Sequence, residues 1–508
     1  MQQNLTIYFT SDVHGYFSPV NYATGEVGST GLANCMSAFQ KDANTLIIDG
    51  GDILQGSPLT YYLYSQCREG ECVPARLMNI AGYDFITLGN HDFNYGKAEI
   101  ERYLREVIAV CLCANVSGIA GVEKTALVTL QNGLKVGLTG VTTPFVTRWE
   151  KKENMVGIEV TDAFTAAASA LDELRDKGAD ITVCIYHGGF ENDVATGVPI
   201  SATGENQGWR ICNELGFDLL LTGHQHMSAE NLSIGGTFTC QPPDKARQYL
   251  RVDARLEVKD GARRFTAQSM LCTSPAKTLE KAWEYLAPIE KKTAQWLDTP
   301  VGRLDTPLLP DEPLKMAENG SLIANFFNQV QLEASGAQLS ATSLDSSVKG
   351  FSQDVTVRDV VSSYVFPNTL KTVYITRDKL KLALERSAEY FALDGAGKLC
   401  VSEAFLRPVP QHFNFDYVSG VEVTVDVRRA VGDRVVSIKY NGQELAPDMK
   451  LTICLNSFRA GGAGGYGVYA ECESAGEVPT EIAELIIDYL ARHGDIVVDK
   501  TKWMNIIY

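Results

Sequence analysis

Five of the seven histidines in this chain of 508 residues stand just after short apolar runs. His14 follows Leu5-Thr6-Ile7-Tyr8-Phe9 through Thr10-Ser11-Asp12-Val13. His91 follows Phe85-Ile86-Thr87-Leu88 within Gly89-Asn90-His91-Asp92. His187 closes Ile181 to Tyr186 and precedes two glycines, and His224 and His226 follow Phe217 to Leu221 in Thr222-Gly223-His224-Gln225-His226. A further run, Thr45 to Ile48, ends in Asp49-Gly50-Gly51-Asp52. Short apolar runs of this kind predict buried β-strands. Between them, residues 31–40, 74–82, 97–107 and 161–177 read as helices, the last with a threonine cap, and 192–208 reads as a polar surface loop. Alternating strands and helices imply an α/β fold, in which ligands bind outside the carboxyl ends of the strands.

Each motif alone is weak. Asp12-Val13-His14 reads equally well as a turn with a surface histidine, and Gly-Gly-Asp and Gly-Asn-His-Asp are common turns. Their shared position argues for a metal site, because scattered surface or core histidines have no reason to gather at strand ends. The candidate ligands are Asp12, His14, Asp52, Asn90, His187, His224 and His226, with Asp49 structural. Oxygen and imidazole donors without cysteine suit Mn, Zn, Fe or Co rather than a thiolate zinc site. Seven donors are too many for one ion and suit two, about 3.5–4 Å apart, with Asp52 bridging.

A net charge of −17 argues against a partner that is a nucleic-acid polymer or an anionic membrane. A small anionic substrate stays compatible, because bound divalent cations reverse the local field. No apolar run reaches the roughly 18 residues of a membrane span. The twelve cysteines are scattered, without metal-binding pairs, and the amino terminus lacks a signal-peptide pattern. Both point to reduced thiols and a cytoplasmic location, or to export if the true amino terminus is missing. The length predicts two or more domains. Thr278 to Trp296 has the pattern of a charged amphipathic helix, and a Pro-rich stretch from Thr306 to Pro313 follows. The expected division is a first domain over 1–275, a linker helix over 276–299 and a second domain over 300–508.

The order Asp-x-His, Gly-Asp, Gly-Asn-His-Asp, His-Gly-Gly, Gly-His-x-His resembles the calcineurin-like metallophosphoesterases, and within them the 5′-nucleotidase branch. The resemblance implies a four-layer β-sandwich flanked by helices, followed by a smaller α+β substrate domain. It assigns one ion to Asp12, His14 and His226 and the other to Asn90, His187 and His224, with Asp52 shared. His91 takes the place of the family's catalytic histidine. Asn94 stands where many 5′-nucleotidases have an aspartate paired with that histidine. An asparagine can orient His91 but stabilises an imidazolium less well.

The second half carries Ala341-Thr342-Ser343-Leu344 where 5′-nucleotidases have Gly-Gly-x-Arg, together with Asn414-Phe415-Asp416 and Asn456-Ser457-Phe458-Arg459-Ala460. These resemble the 2′,3′-cyclic-nucleotide 2′-phosphodiesterase/3′-nucleotidase group. The resemblance implies a nucleobase held between two rings, Phe413 (or Phe415) and Tyr466, with Asn456 and Arg459 near substrate. Arg459 is equally compatible with a structural ion pair, and Phe415 with core packing. The implied activity is dimetal hydrolysis of 2′,3′-cyclic nucleotides and 3′-nucleotides. Alternatives are a 5′-nucleotidase or UDP-sugar hydrolase and, from another class, a catalytically dead nucleotide-binding protein. The partner expected is the nucleotide itself, with no protein partner inferred.

Overall fold

The computed structural model describes residues 2–150, 152–200, 204–346, 348–366, 368–406 and 410–508. The chain divides into two compact units, Met1–Ala294 and Gln295–Tyr508. In the first, strands β1 (Gln2–Thr10), β2 (Thr45–Asp49), β3 (Phe85–Ile86), β4 (Val110–Leu112) and β5 (Val122–Glu123) lie side by side in parallel. A second sheet is built from β6 (Thr125–Thr129), β7 (Lys135–Thr142), β8 (Ile181–His187), β9 (Leu219–Thr222), β10 (Ala229–Ile234) and β11 (Thr237–Gln241), in the order β10-β11-β9-β8-β7-β6. Its four central strands, β11, β9, β8 and β7, are parallel. The long hairpin β12 (Gln248–Lys259) and β13 (Ala262–Thr273) completes the first sheet on the open edge of β1.

Side-chain alternation explains how the sheets stack. Leu5, Ile7 and Phe9 of β1 and Leu46 and Ile48 of β2 share one core with Val183 and Ile185 of β8 and Leu219 and Leu221 of β9. The intervening Cys184, Tyr186 and Leu220 point the other way, into a core that includes Ala163, Ala167 and Leu171 of the helix Ala163–Asp176. Both faces of β8 are therefore covered, which is why its sequence is a continuous apolar run rather than an alternation. That helix is capped by Asp162, whose side chain accepts from Thr165 N, and not by the expected threonine at 161. The helix Pro58–Gln66 was not expected. It starts from a capping box between Ser57 and Thr60, with proline at its first position.

The second unit holds a five-stranded sheet in the order Asp416–Ser419, Leu339–Ser343, Lys450–Asn456, Thr369–Thr376, Ser474–Glu481, and a four-stranded one. Helices Leu322–Ser335 and Arg377–Ala388 accompany them, giving the α+β composition expected of this half. All twelve cysteines are free, eight of them buried. No helix among the described residues is long and apolar enough to cross a membrane.

The charged amphipathic pattern near residue 280 forms the helix Glu280–Leu297, with Pro288 inside it. Its Glu290 is 6% exposed and accepts hydrogen bonds from Ser18 and, at 2.9 Å, from Tyr22. Burial pushes this carboxyl above its ordinary value, against the two hydrogen bonds. An acid with a raised folded pKa favours folding while protonated, and that contribution is lost as pH rises from the unfolded value through the folded one. Glu290→Gln stays neutral and can still accept a hydrogen bond. Its Tm is expected to gain on that of the native chain as pH rises from about 5 to about 8. Parallel Tm curves for the two proteins would remove the buried charge as the cause.

Candidate metal centre

The candidate ligands of the first unit converge because their strands end at one level. Thr10 of β1 pairs with Asp49 of β2, and Asp49 with Ile86 of β3. In the second sheet Tyr186 of β8 pairs with Thr222 of β9. Each chain then turns sharply. Asp12, His14, Asp52, His224 and His226 all have positive φ, between 50° and 72°, a conformation that L side chains avoid. Half of the ten non-glycine residues with positive φ among the described residues are thus candidate ligands. Backbone strain concentrated in this way is typical of functional sites.

Asp12, His14 and His226 form one group, and Asp12, Asp52 and His187 another. Within each group the donor atoms lie within 4.8 Å of one another. His14 Nε2 and His226 Nε2 are 3.1 Å apart, and Asp12 Oδ1 lies 3.4 Å from His226 Nε2. On the other side Asn90 Oδ1 stands 2.9 Å from His224 Nδ1 and 3.2 Å from His187 Nε2. Asp52 Oδ2 lies between, 3.2 Å from His187 Nε2 and 3.8 Å from His14 Nε2. Donors sharing one ion at metal–ligand distances near 2.1 Å stand about 3.0–3.5 Å apart, so this spacing fits two adjacent coordination shells. Asp12 also touches both groups, since its Oδ1 is 3.9 Å from His187 Nε2.

The outward nitrogens of the imidazoles are also engaged. His187 Nδ1 faces the Gly50 carbonyl at 2.7 Å, His14 Nδ1 the Gln55 carbonyl at 3.1 Å, and His224 Nε2 the Glu205 carboxylate at 3.0 Å. His226 Nδ1 lies 3.7 Å from Asp244 Oδ2. Acceptors at those positions take the ring proton and leave the inward nitrogen as a lone pair, the arrangement a metal requires. The charges agree. Burial would raise the Asp12 and Asp52 carboxyls, yet His187 foremost holds both below the usual carboxylate range. Burial likewise pulls His187 down, but Asp52 and Asp12 push it up to about 10. Burial takes His14 to about 4. Two fully buried carboxylates thus draw positive charge into the cluster, of the kind that bound divalent cations would supply.

His91 sits beside these donors rather than among them. Its ring centroid is 5.3 Å from that of His14, and its Nδ1 meets Asn94 Oδ1 at 2.8 Å. Asn94 Nδ2 donates to Glu150 at 2.7 Å. Asp92, next in sequence, accepts from Gly89 N at 2.8 Å and from Asp52, Ile53 and Leu54 N, each at 2.9 Å. Asp49 takes hydrogen bonds from Thr10 and from Gly51 N, the structural use expected of it. Gly89 permits a close approach: a Cβ there would collide with Asp52 Oδ1 and stand 2.6 Å from His187 Cε1. Sequence reasoning missed Glu150, Glu205, Asp92 and Asp244. Only Asp92 carried a signal, its place inside the Gly-Asn-His-Asp motif.

The five substrate-binding candidates lie in the second unit. Phe413 is half-buried. Phe415 is 2% exposed and packs edge-on against Tyr417 and Phe391 in the core. Tyr466 is 1% exposed, its hydroxyl bonded to Ser387 and to the Asn414 carbonyl and its ring covered by the Arg459 guanidinium at 4.3 Å. Arg459 forms a buried ion pair with Asp416 at 2.9 Å and donates to the Ala463 and Phe413 carbonyls. Asn456 caps the turn of helix that carries Arg459. Phe458, on the same turn, is 53% exposed.

The model of the calcineurin-like phosphoesterase family matches residues 5–228, and that of the 5′-nucleotidase C-terminal domain matches residues 300–471. The chain is 24% identical to a 2′,3′-cyclic-nucleotide 2′-phosphodiesterase/3′-nucleotidase of Haemophilus influenzae, covering 96% of this chain and 84% of that one. It is also 24% identical to the trifunctional nucleotide phosphoesterase protein YfkN of Bacillus subtilis over 96% of its own length, but spans only 38% of that longer relative. Among solved structures, a putative 5′-nucleotidase from Staphylococcus aureus in complex with alpha-ketoglutarate shares 31% identity over the whole of both chains, with a TM-score of 0.78. The chain belongs to the family that joins a calcineurin-like phosphoesterase domain to a 5′-nucleotidase C-terminal domain.

Proposed function

We propose that this chain hydrolyses nucleotide phosphoesters at a dimetal centre, with 2′,3′-cyclic nucleotides and 3′-nucleotides as substrates. The observation that carries the reading is the pairing of two adjoining donor groups with one histidine, His91, that is held beside them by Asn94. Asp12, His14 and His226 would hold one ion and Asn90, His187 and His224 the other, with Asp52 between them. Divalent Mn, Zn, Fe or Co ions bound there would lower the pKa of a water, polarise the phosphoryl group and offset its charge. His91 turns Nε2 to the substrate. It stabilises the phosphoryl oxygens or gives a proton to the departing ribose oxygen, while Asn94 Oδ1 receives the Nδ1–H. Asn94 and the Ala341-Thr342-Ser343-Leu344 segment favour the cyclic and 3′ substrates. A 5′-nucleotidase is the second reading, supported by the Staphylococcus aureus neighbour described as a putative 5′-nucleotidase.

In the second unit, half-buried Phe413 is the ring we assign to base stacking, while Tyr466, at 1% exposed, is covered by Arg459. Arg459 links Tyr466, Asn456 and the Phe413 backbone through the contacts described, and Phe415 packs in the core.

Release of phosphate and nucleoside from 2′,3′-cyclic AMP, 3′-AMP, 5′-AMP and UDP-glucose, with Mn²⁺ and after chelation, tests the reading. Metal-dependent turnover of the first two is expected, and turnover of 5′-AMP alone would transfer the assignment to the second reading. His91→Ala is expected to keep its metal while kcat falls about 10²–10⁴-fold. Undiminished kcat would remove His91 from the chemistry. Asp52→Ala should lose both ions by elemental analysis, and two retained ions would refute the bridging role. Phe413→Ala should raise KM for nucleotides about 5–150-fold, the equivalent of about 1–3 kcal/mol of stacking, and leave p-nitrophenyl phosphate unaffected. An equal rise for both substrates would argue against stacking.

A further inference from the structure

The contact between His91 and Asn94 continues to a third residue. Asn94 Nδ2 donates to Glu150 Oε2 at 2.7 Å, and Asn154 Nδ2 donates both to Glu150 Oε1 at 2.7 Å and to the Asn94 carbonyl at 2.8 Å. Glu150 is 9% exposed and directly follows the short helix Val146–Trp149. An ionised carboxylate can only accept. It therefore decides which end of the Asn94 amide faces it: the NH₂ must turn to Glu150, and the oxygen is left for His91. An amide oxygen in turn can only accept, so His91 Nδ1 must carry the proton and Nε2 is the nitrogen left for substrate.

We propose that Glu150 is a positioning residue for the reaction. Through Asn94 it fixes the tautomer and the aim of His91, and it supplies at one remove the negative charge that a directly paired aspartate would provide. An asparagine alone would not fix the tautomer, because its amide can present either end to the ring. Asn154 braces both partners of the relay. The proposal rests on the role given to His91 above, so its test separates the two.

The full chain, loaded with Mn²⁺, would be compared as native protein, Glu150→Gln, His91→Ala and the double variant. The substrates would be 3′-AMP and p-nitrophenyl phosphate, whose leaving group needs little help from an acid. Glu150→Gln is expected to lower kcat on 3′-AMP about 10–100-fold with KM within about threefold, and to affect p-nitrophenyl phosphate less. In the His91→Ala background it should cost nothing further. Asn94→Asp added to Glu150→Gln should restore much of the loss, because a carboxylate at 94 accepts from Nδ1–H without needing to be oriented.

A second readout is independent of turnover. Long-range proton–nitrogen spectra of the zinc-loaded chain, with His91 identified by its loss in His91→Ala, should show the Nδ1–H tautomer in the native protein and a mixture in Glu150→Gln. Unchanged kcat and an unchanged tautomer in Glu150→Gln would overturn the proposal, as would an equal loss in the presence and absence of His91. Full turnover by His91→Ala would instead overturn the role of His91 itself.

Discussion

The loops of the candidate metal centre hang on one buried carboxylate, that of Asp92. It gathers backbone N–H groups from Gly89 on its own loop and from Asp52, Ile53 and Leu54 on the loop after β2. Charge-assisted hydrogen bonds of this kind are stronger than neutral ones, and the group they satisfy would be costly to bury alone. The effect is to clamp two ligand-bearing turns to each other. Asp52 Oδ1 then accepts from His91 N at 2.7 Å, which leaves Oδ2 to face His187 and His14. The carboxylate between the two donor groups is thus aimed by hydrogen bonds that exist before any ion arrives.

The strain in this arrangement is paid for by the sheets. Five candidate ligands adopt the left-handed backbone conformation, each at a cost of order 1–3 kcal/mol. His187, by contrast, is the last residue of a regular strand, and Asn90 has an ordinary helical φ of −69°. Three turns therefore carry the strain, those after β1, β2 and β9. Each of these strands contributes apolar side chains to the core between the sheets. A packed two-sheet core resists the small shifts that would let a turn relax.

That the seven candidate donors would gather in one place was legible in the sequence, because strand, turn and ligand type are all local signals, and the strand ends repeat them. The acids that support them were not. Glu150 and Glu205 lie 56 and 19 residues from the side chains they hold, and in sequence they look like solvated surface charges. Residues 201–203 of the loop that brings in Glu205 lie outside the described residues. The hairpin of β12 and β13 went unread although Asp260-Gly261, both with positive φ, is a strong turn signal between its strands. In the second unit, residue type could not distinguish a half-buried ring from one packed in the core. Phe413 and Phe415 are two positions apart, yet Phe413 is half-buried in a short 3-10 turn and Phe415 packs in the core.

The closeness of backbone at Gly89 has a consequence for how such a chain can diverge. A candidate donor can be replaced by another residue type without a clash of backbone. At Gly89, and at Gly51, whose added Cβ would run into the Gly89 backbone, no side chain of any chemistry fits. Substitution at these two glycines is therefore closed by the meeting of two loop backbones, whatever the donors around them bind. The spacing of two loop backbones, and not only the chemistry of the donors, thus limits which substitutions such a chain can take.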